Sequence, residues 1–361
     1  MADIISIATS SPTYKHLQSD ILSFMQKNYS LDVDGKRKLK FLYDHSGINT
    51  RHSVIPDYNT ALDKKGFIPS NPSDPFPTLE TRMQIFDTEA LTLSIEAINK
   101  CIDGFIDVQS VTHLITISCT GMSAPGLDLQ LMHTLSLPSS IFRTSINFMG
   151  CYAAIHGLKL AKMICDSTPN SNVIVVATEL CTLHFQKEFT EDNAASSLLF
   201  ADGSAAILIS NCLNNHPKLT LKNFYSEVVE KGKADMAWNL SSKGFLMTLS
   251  SYIPQLIEAD IENLILKALE VNKLDISDIT HWCIHPGGKR ILDLVQRKMK
   301  LTDDDLQYAR KVLFENGNMS SPTVLYVLKE IMDNIIEQPA TIIGMAFGPG
   351  LTMETFTAAR N

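Results

Sequence analysis

Asn147-Phe148-Met149-Gly150-Cys151-Tyr152-Ala153-Ala154 is the stretch on which the reading of this chain turns. An apolar, strand-like run reaches a glycine, a cysteine follows, and a helix of small residues begins. Gly150 permits a sharp turn and the close approach of another backbone. Cys151 then falls in the first turn of the helix, where unpaired N–H groups and the helix dipole favour a thiolate. The thiolate is the nucleophilic form of cysteine. The plainer alternative makes Cys151 one more small core residue, since unpaired cysteines are among the most buried side chains. What separates the two lies more than a hundred residues downstream.

Composition bounds the answer. A chain of 361 residues, 45% hydrophobic and 19% charged, has material for two core units of comparable size. A net charge of −8 without a long basic run disfavours a nucleic-acid partner. The densest basic cluster, Lys36-Arg37-Lys38-Leu39-Lys40, reads as a solvated helix face or as a patch for a phosphorylated ligand. Seven cysteines with no Cys-x-x-Cys pair speak against a disulfide framework and a structural zinc site, and for a reducing compartment. Ala2 to Ala8 carries no basic lead and reads as a first strand rather than a signal peptide. No apolar run approaches a membrane span, so the expectation is a cytoplasmic protein with no membrane partner.

Strands and helices then alternate. Residues 15 to 50 look helical, then polar, and 53 to 80, with Pro69, Pro72, Pro75 and Pro77, read as a long loop or surface arm. Helices are expected over 86–102, 127–135, 151–165, 253–271, 289–299 and 320–335, and strands over 112–118, 172–177, 205–210, 219–229, 280–284 and 341–346. The continuous apolar runs imply strands covered on both faces. The alternation implies an α/β chain with a mainly parallel sheet, in two similar halves joined near residues 211 to 218.

Three residues sit at element ends of the kind where α/β sheets gather ligands. Cys151 follows a strand. His285 follows another and is locked by Pro286-Gly287-Gly288, and Asn318 lies in the polar loop Glu315-Asn316-Gly317-Asn318-Met319-Ser320-Ser321-Pro322 before a helix. Together they would make a nucleophile and two hydrogen-bond donors. The histidine would hold the thiolate as an ion pair, and histidine and amide would stabilise an oxyanion or enolate. Singly, each has a duller account: a satisfied core histidine, a helix cap or turn asparagine.

Gly150-Cys151-Tyr152-Ala153, Cys283-Ile284-His285-Pro286-Gly287-Gly288, Asn316 to Pro322 and Gly344-Met345-Ala346-Phe347-Gly348-Pro349-Gly350 are similar in order and spacing to motifs of the type III polyketide synthases, the chalcone and stilbene synthase-like enzymes. Phe200-Ala201-Asp202-Gly203-Ser204-Ala205-Ala206 resembles their Phe-Gly-Asp-Gly-Ala-Ala segment. The resemblance spans essentially the whole chain. It implies a thiolase-like fold of two βαβαβ halves forming a five-layered α-β-α-β-α core, with the nucleophile in 1–212 and the His and Asn in 213–361, and a homodimer. It implies catalysis by Cys151, His285 and Asn318, Phe200 as a gate, and Gly348 and Pro349 as a rigid pocket lining. Acyl-CoA and malonyl-CoA would be the substrates, held in part by Lys38, Gly287 and Gly288, with no metal or redox cofactor.

Several positions depart from the plant pattern. Cys119 stands where a threonine is usual, as in some bacterial relatives, either shaping the pocket or packing in its loop. Ala124 stands where a methionine reaches into the partner subunit's cavity. Trp238 and Met247 stand where a glycine and a second gating phenylalanine are common, unless the correspondence slips within residues 231 to 247. Of the basic residues that hold coenzyme A phosphates, Lys38 matches, whereas Phe41 and His45 occupy the other places, with Lys40 or Lys289 as substitutes. Two other readings compete: a ketoacyl synthase-like condensing enzyme served by an acyl carrier protein, and a catalytically silent thiolase-fold binding protein. The Gly-Pro-Gly ending argues against the first, and the intact Cys, His and Asn against the second.

Overall fold

Strands that are apolar along their whole length need cover on both faces, and the chain supplies it in layers. The computed structural model describes residues 1–58, 66–69, 74–213, 219–229, 236–249, 253–335 and 339–360. The first half runs β1 (Asp3–Ser10), β2 (Tyr14–Leu17), α1 (Gln18–Asn28), α2 (Val33–Asp44), β3 (Thr50–Ser53), α3 (Leu79–Ile102), β4 (His113–Ser118), α4 (Leu127–Thr134), β5 (Phe142–Asn147), α5 (Ala153–Ser167), β6 (Asn172–Leu180), α6 (Glu191–Leu199) and β7 (Asp202–Ser210). The second runs β8 (Leu219–Val228), β9 (Met236–Ser241), β10 (Gly244–Leu249), α7 (Ile253–Asn272), β11 (His281–Ile284), α8 (Lys289–Met299), α9 (Gln307–Asn316), α10 (Thr323–Asn334), β12 (Ala340–Gly348) and β13 (Thr352–Arg360).

The main sheet has the order β5-β4-β6-β7-β1-β8-β13-β12-β11. Within it, β4-β6-β7-β1 and β11-β12-β13-β8 repeat one pattern. The first pair is parallel and the next two are antiparallel in each set, so the sheet is mainly antiparallel and not mainly parallel as the alternation implied. The two sets meet where β1 touches β8 through two residue pairs, Asp3 with Thr220 and Ile4 with Leu219. So short a seam leaves the joining of the halves to the helices between them. α5 packs on β4, β5, β6 and β7 and also on β13, while α10 packs on β11 and β12 and also on β7 and β1. α3 covers β1, β6 and β7 on one outer side, and α7 covers β8 on the other, with α8 beside it. The result is the five-layered α-β-α-β-α order that the resemblance implies.

The central helices have the composition their place demands. In α10, Val324, Leu325, Val327, Leu328 and Ile331 are all fully buried, so the helix is apolar around its circumference, as a helix with cover on all sides must be. In α5, Ala153, Ala154, Gly157 and Ala161 keep the helix thin. A side chain at Gly157 would begin 2.7 Å from both Ile117 Cδ1 and Val175 Cγ1.

The expected helices and strands of the alternation all form, with shifted ends. α3 begins seven residues before the expected Phe86, because Thr78 caps it by accepting from Thr81 N at 3.2 Å. The proline-rich stretch before it disguised that start. The strands β2, β3, β9, β10 and β13 were not anticipated, since short or mixed-polarity runs carry weak periodicity. Pro72 in the expected long loop, and residues 214–218 of the expected junction, lie outside the described residues. Among the described residues no helix is long and apolar enough to cross a membrane.

In the second half, Phe356 on β13 lies opposite Gly344 on β12. A Cβ at Gly344 would fall 1.9 Å from the Phe356 ring, so the aromatic occupies the space the glycine leaves. Phe356→Ala is expected to destabilise the protein by about 3–5 kcal/mol. Equilibrium urea denaturation checks this, and a loss under about 1 kcal/mol would show that the site collapses to refill itself.

Candidate active site

The nucleophile turn is built by two left-handed residues. After β5, Phe148 has φ 58° and Gly150 has φ 80°. Such a conformation at a bulky residue costs energy and persists where its surroundings enforce it. A close contact on this turn comes from the other half of the chain. A Cβ at Gly150 would lie 2.2 Å from Pro349 Cδ, and one at Gly348 would lie 2.5 Å from Tyr152 Cδ1 and 3.3 Å from Cys151 N. The end of β12 is thus pressed onto the turn, with glycine on each side of the contact. Cys151 itself lies just outside α5, whose N-cap is Tyr152, and not within the first turn as the sequence suggested.

His285 leaves β11 with its N–H donating to Met345 O at 2.8 Å. Its ring is buried, and among the described residues neither Nδ1 nor Nε2 has a partner. Asn318 is held between α9 and α10. Its N–H donates to Leu199 O at 3.0 Å, its carbonyl accepts from Ala201 N at 2.9 Å, and these bonds bridge it to Phe200. Ser320 N donates to Asn318 Oδ1 at 2.8 Å, which orients the amide and leaves Nδ2 to donate; that nitrogen lies 3.4 Å from Gly287 O. The Cys151 thiol donates to Ser320 Oγ at 3.6 Å. Cys151, His285 and Asn318 line one cavity of about 950 Å³.

The charge states differ from the expected ion pair. Burial pushes the Cys151 thiol up to about 11, against smaller opposing help from the Ser320 hydrogen bond. Burial alone takes His285 down to about 3. Both groups are desolvated, and desolvation disfavours whichever form carries charge. Burial therefore favours a neutral thiol and a neutral imidazole in the resting site. Thiol attack then needs a base, and His285 is a buried base with unused nitrogens.

Behind the nucleophile lies a residue the sequence reading did not single out. Glu179, fully buried near the end of β6, accepts from Cys119 N at 2.8 Å, Thr120 Oγ1 at 2.7 Å, Ser118 Oγ at 3.3 Å and Ser321 Oγ at 2.6 Å. Burial raises its pKa, and these donors oppose the rise. A carboxylate in an otherwise apolar strand was the available signal. Cys119 is both things the sequence left open. It is packed, its Sγ accepting from Gly150 N at 2.9 Å, and it also lines the cavity. Burial, and next the Glu179 charge, hold its thiol well above the usual range.

Phe200, Trp238, Met247 and Pro349 line the cavity as well. Trp238 and Met247 are cross-strand partners on β9 and β10, and Trp238 Nε1 donates to Cys119 O at 2.6 Å. Both residues thus stand at the pocket, while residues 231–235 of the segment in question lie outside the described residues. Gly348 is not among the lining residues and instead packs against Tyr152 and Cys151 N, and Ala124, also not among them, lies exposed in the loop before α4. At the mouth are Lys38, Gly287, Gly288 and Lys289, together with Arg290, which sequence reasoning missed. Lys40 is not at the cavity and pairs with Asp44 at 2.6 Å. Phe41 and His45 also reach the mouth, stacked with ring centroids 4.2 Å apart.

Known proteins resemble the chain along essentially its whole length. The family description for the N-terminal domain of chalcone and stilbene synthases matches residues 1–212, and that for the C-terminal domain matches residues 220–359. Type III polyketide synthase C of Arabidopsis thaliana is 28% identical over 98% of this chain and 94% of its own. The crystal structure of PKS-I from the brown alga Ectocarpus siliculosus superimposes with a TM-score of 0.91 at 26% identity, covering 100% of this chain and 98% of the other. The C-terminal type III polyketide synthase domain of Steely1, a type I/III hybrid from Dictyostelium, superimposes at 0.89 with 25% identity, covering 99% and 98%. The fold is thiolase-like.

The neutral thiol makes a direct prediction. Alkylation of Cys151 by iodoacetamide in the free protein is expected to rise about tenfold per pH unit from pH 6 to 9, with no plateau, because only the thiolate reacts. Peptide mass spectrometry of the Cys151 adduct measures it. A plateau above about pH 7 would reveal a preformed ion pair and overturn the neutral assignment.

Proposed function

The chain belongs to the chalcone and stilbene synthases, the type III polyketide synthases, and from that premise we propose that Cys151 is loaded from an acyl-CoA and the chain extended with malonyl-CoA. The family makes it a condensing enzyme; the roles below are the reading the geometry supports best. The observation that carries it is the convergence, in one large cavity, of a half-buried thiol, a buried histidine with two unused nitrogens and an asparagine amide oriented to donate.

In loading, Cys151 Sγ attacks the thioester carbonyl as His285 takes the thiol proton. The carbon–sulfur bond to coenzyme A breaks, and its thiolate leaves with that proton. Malonyl-CoA then loses carbon dioxide, and the electron pair of the broken bond becomes an enolate. The His285 N–H and Asn318 Nδ2 donate to the enolate oxygen. Asn318 suits this because an amide donates without titrating. The enolate carbon attacks the acyl carbonyl, Cys151 leaves as thiolate, and the lengthened chain returns to it before cyclisation. Loss of carbon dioxide drives the condensation, so this reading assigns no metal or redox cofactor. Phe200, Trp238 and Met247 form an apolar wall that keeps water from the enolate.

The coenzyme A end fits the mouth, where Lys38, Lys289 and Arg290 flank Gly287 and Gly288. Trp238 and Met247 restrict one wall, which supports a modest pyrone or phenolic product and an aliphatic acyl starter. A homodimer is part of the same reading. β5 is one edge of the main sheet, its Phe142 is 68% exposed, and it leads straight into the nucleophile turn. An exposed edge of this kind needs cover, and a second copy supplies it. Seven free cysteines support a cytoplasmic setting.

Incubation with malonyl-CoA and a panel of acyl-CoA starters, following free thiol release and product mass, tests the proposal. Release is expected with at least one starter and should fall roughly 10³-fold or more in Cys151→Ala. Equal release from the variant, or none with any starter, would sink it. In a second comparison, Trp238→Gly is expected to lengthen products or admit bulkier starters, and Trp238→Phe to leave the product profile close to that of the parent. An unchanged profile in Trp238→Gly would show that this wall does not limit the product.

A further inference from the structure

Asn318 and Phe200 depend on a residue that touches neither substrate nor thiol. α6 ends at Leu199 and points its last carbonyls into the protein, where each needs a donor. Ser197 O accepts from Arg51 Nη2 at 2.8 Å, Leu198 O from Gln18 Nε2 at 2.9 Å, and Leu199 O from Asn318 N at 3.0 Å. The next carbonyl, Phe200 O, accepts from Arg51 Nη1. Arg51 Nε in turn donates to Gln18 Oε1 at 2.9 Å. The Asn318 N–H is thus one donor to a four-carbonyl cap whose other donors come from Arg51 and Gln18, with the Tyr43 hydroxyl also donating to Ser197 O at 3.2 Å.

Arg51 is 2% exposed, and its three hydrogen bonds all go to neutral oxygens. A buried guanidinium spent this way is costly unless its fork geometry is used. Its stem does a second job. A Cβ at Gly317 would lie 2.8 Å from Arg51 Cγ and Cδ, so the residue before Asn318 rests on the arginine chain in a left-handed conformation, φ 68°. The two preceding residues of the same segment hold the neighbouring helix. Asn49 N donates to Phe314 O at 2.8 Å and Thr50 Oγ1 to Glu315 O at 2.6 Å, at the C-terminal end of α9. Residues 49–51 therefore grip the ends of α6 and α9, between which Asn318 is presented.

We propose that Arg51 is a positioning residue that sets, through one guanidinium, both the place of Asn318 and the place of Phe200 in the cavity wall. The inference rests on the proposed function for its kinetic consequence, but its structural core stands apart from it. Lysine keeps the charge and cannot reach the Ser197 and Phe200 carbonyls and Gln18 together. Methionine keeps the stem and donates nothing.

The test compares Arg51→Lys and Arg51→Met with the parent protein. The first readout is hydrogen exchange at the amides of Ala201 and Asn318, which form the bridge. Both are expected to exchange at least about tenfold faster in each variant, while Val175 and Ile207 in the sheet centre stay unchanged. The second readout separates two steps. Single-turnover acylation of Cys151 by hexanoyl-CoA, read by intact mass, should change less than about threefold, because it does not require Asn318. Malonyl-CoA decarboxylation should fall by roughly 10- to 100-fold, since displacing one donor from a developing enolate has effects of that order. Unchanged exchange at Ala201 and Asn318 would overturn the proposal, as would acylation and decarboxylation falling in equal proportion. If the parent protein decarboxylates nothing, the functional reading fails, and the exchange result alone still decides the role of Arg51.

Discussion

The contact of Pro349 with Gly150 is the constraint on which the site depends. One residue ends a strand of the second half, and the other lies in the nucleophile turn of the first. The space between them is too small for a single carbon. That contact sets where Cys151 stands relative to His285, because β12 also receives the His285 N–H through Met345 O. The two halves share two residue pairs at the sheet seam, so the site sits where they are pressed together by α5 and α10. Displacing either half would move Cys151 away from His285 and Asn318.

Burial then governs the chemistry. The same desolvation that raises Cys151 lowers His285, so burial favours an uncharged site. In the proposed function this suits a reaction that passes through an enolate, with charge developing in the cavity where donors can meet it. The polar groups behind the nucleophile follow the opposite rule. Glu179 is surrounded by donors on Ser118, Cys119, Thr120 and Ser321, which join loops of both halves into one buried network. A network satisfied this fully rigidifies what it connects.

Much of this was legible in the sequence. The strands β6, β7 and β12 were readable as continuous apolar runs. Cys151, His285 and Asn318 were readable because each stands at the end or start of an element beside glycines or prolines that restrict its backbone. The short strands β2 and β3 were not legible, and neither was the role of Arg51. Two of its three partners are backbone carbonyl oxygens about 150 residues away, and a backbone oxygen has no sequence signature. Glu179 was visible only as an oddity within an apolar strand.

By itself the sequence determined the alternation of strands and helices, the three reactive residue types and the glycines at their turns, since these follow from local periodicity and from the conformations a side chain permits. Only the tertiary structure decided that burial favours a neutral thiol and imidazole, that Trp238 is tied to the Cys119 carbonyl, and that one buried arginine holds Asn318 and Phe200. Those properties depend on solvent exclusion and on contacts between distant segments. The nucleophile turn shows the division most clearly: its cysteine and glycine can be read in eight residues, but the Pro349 contact on Gly150 and the burial around Cys151 come from the second half of the chain.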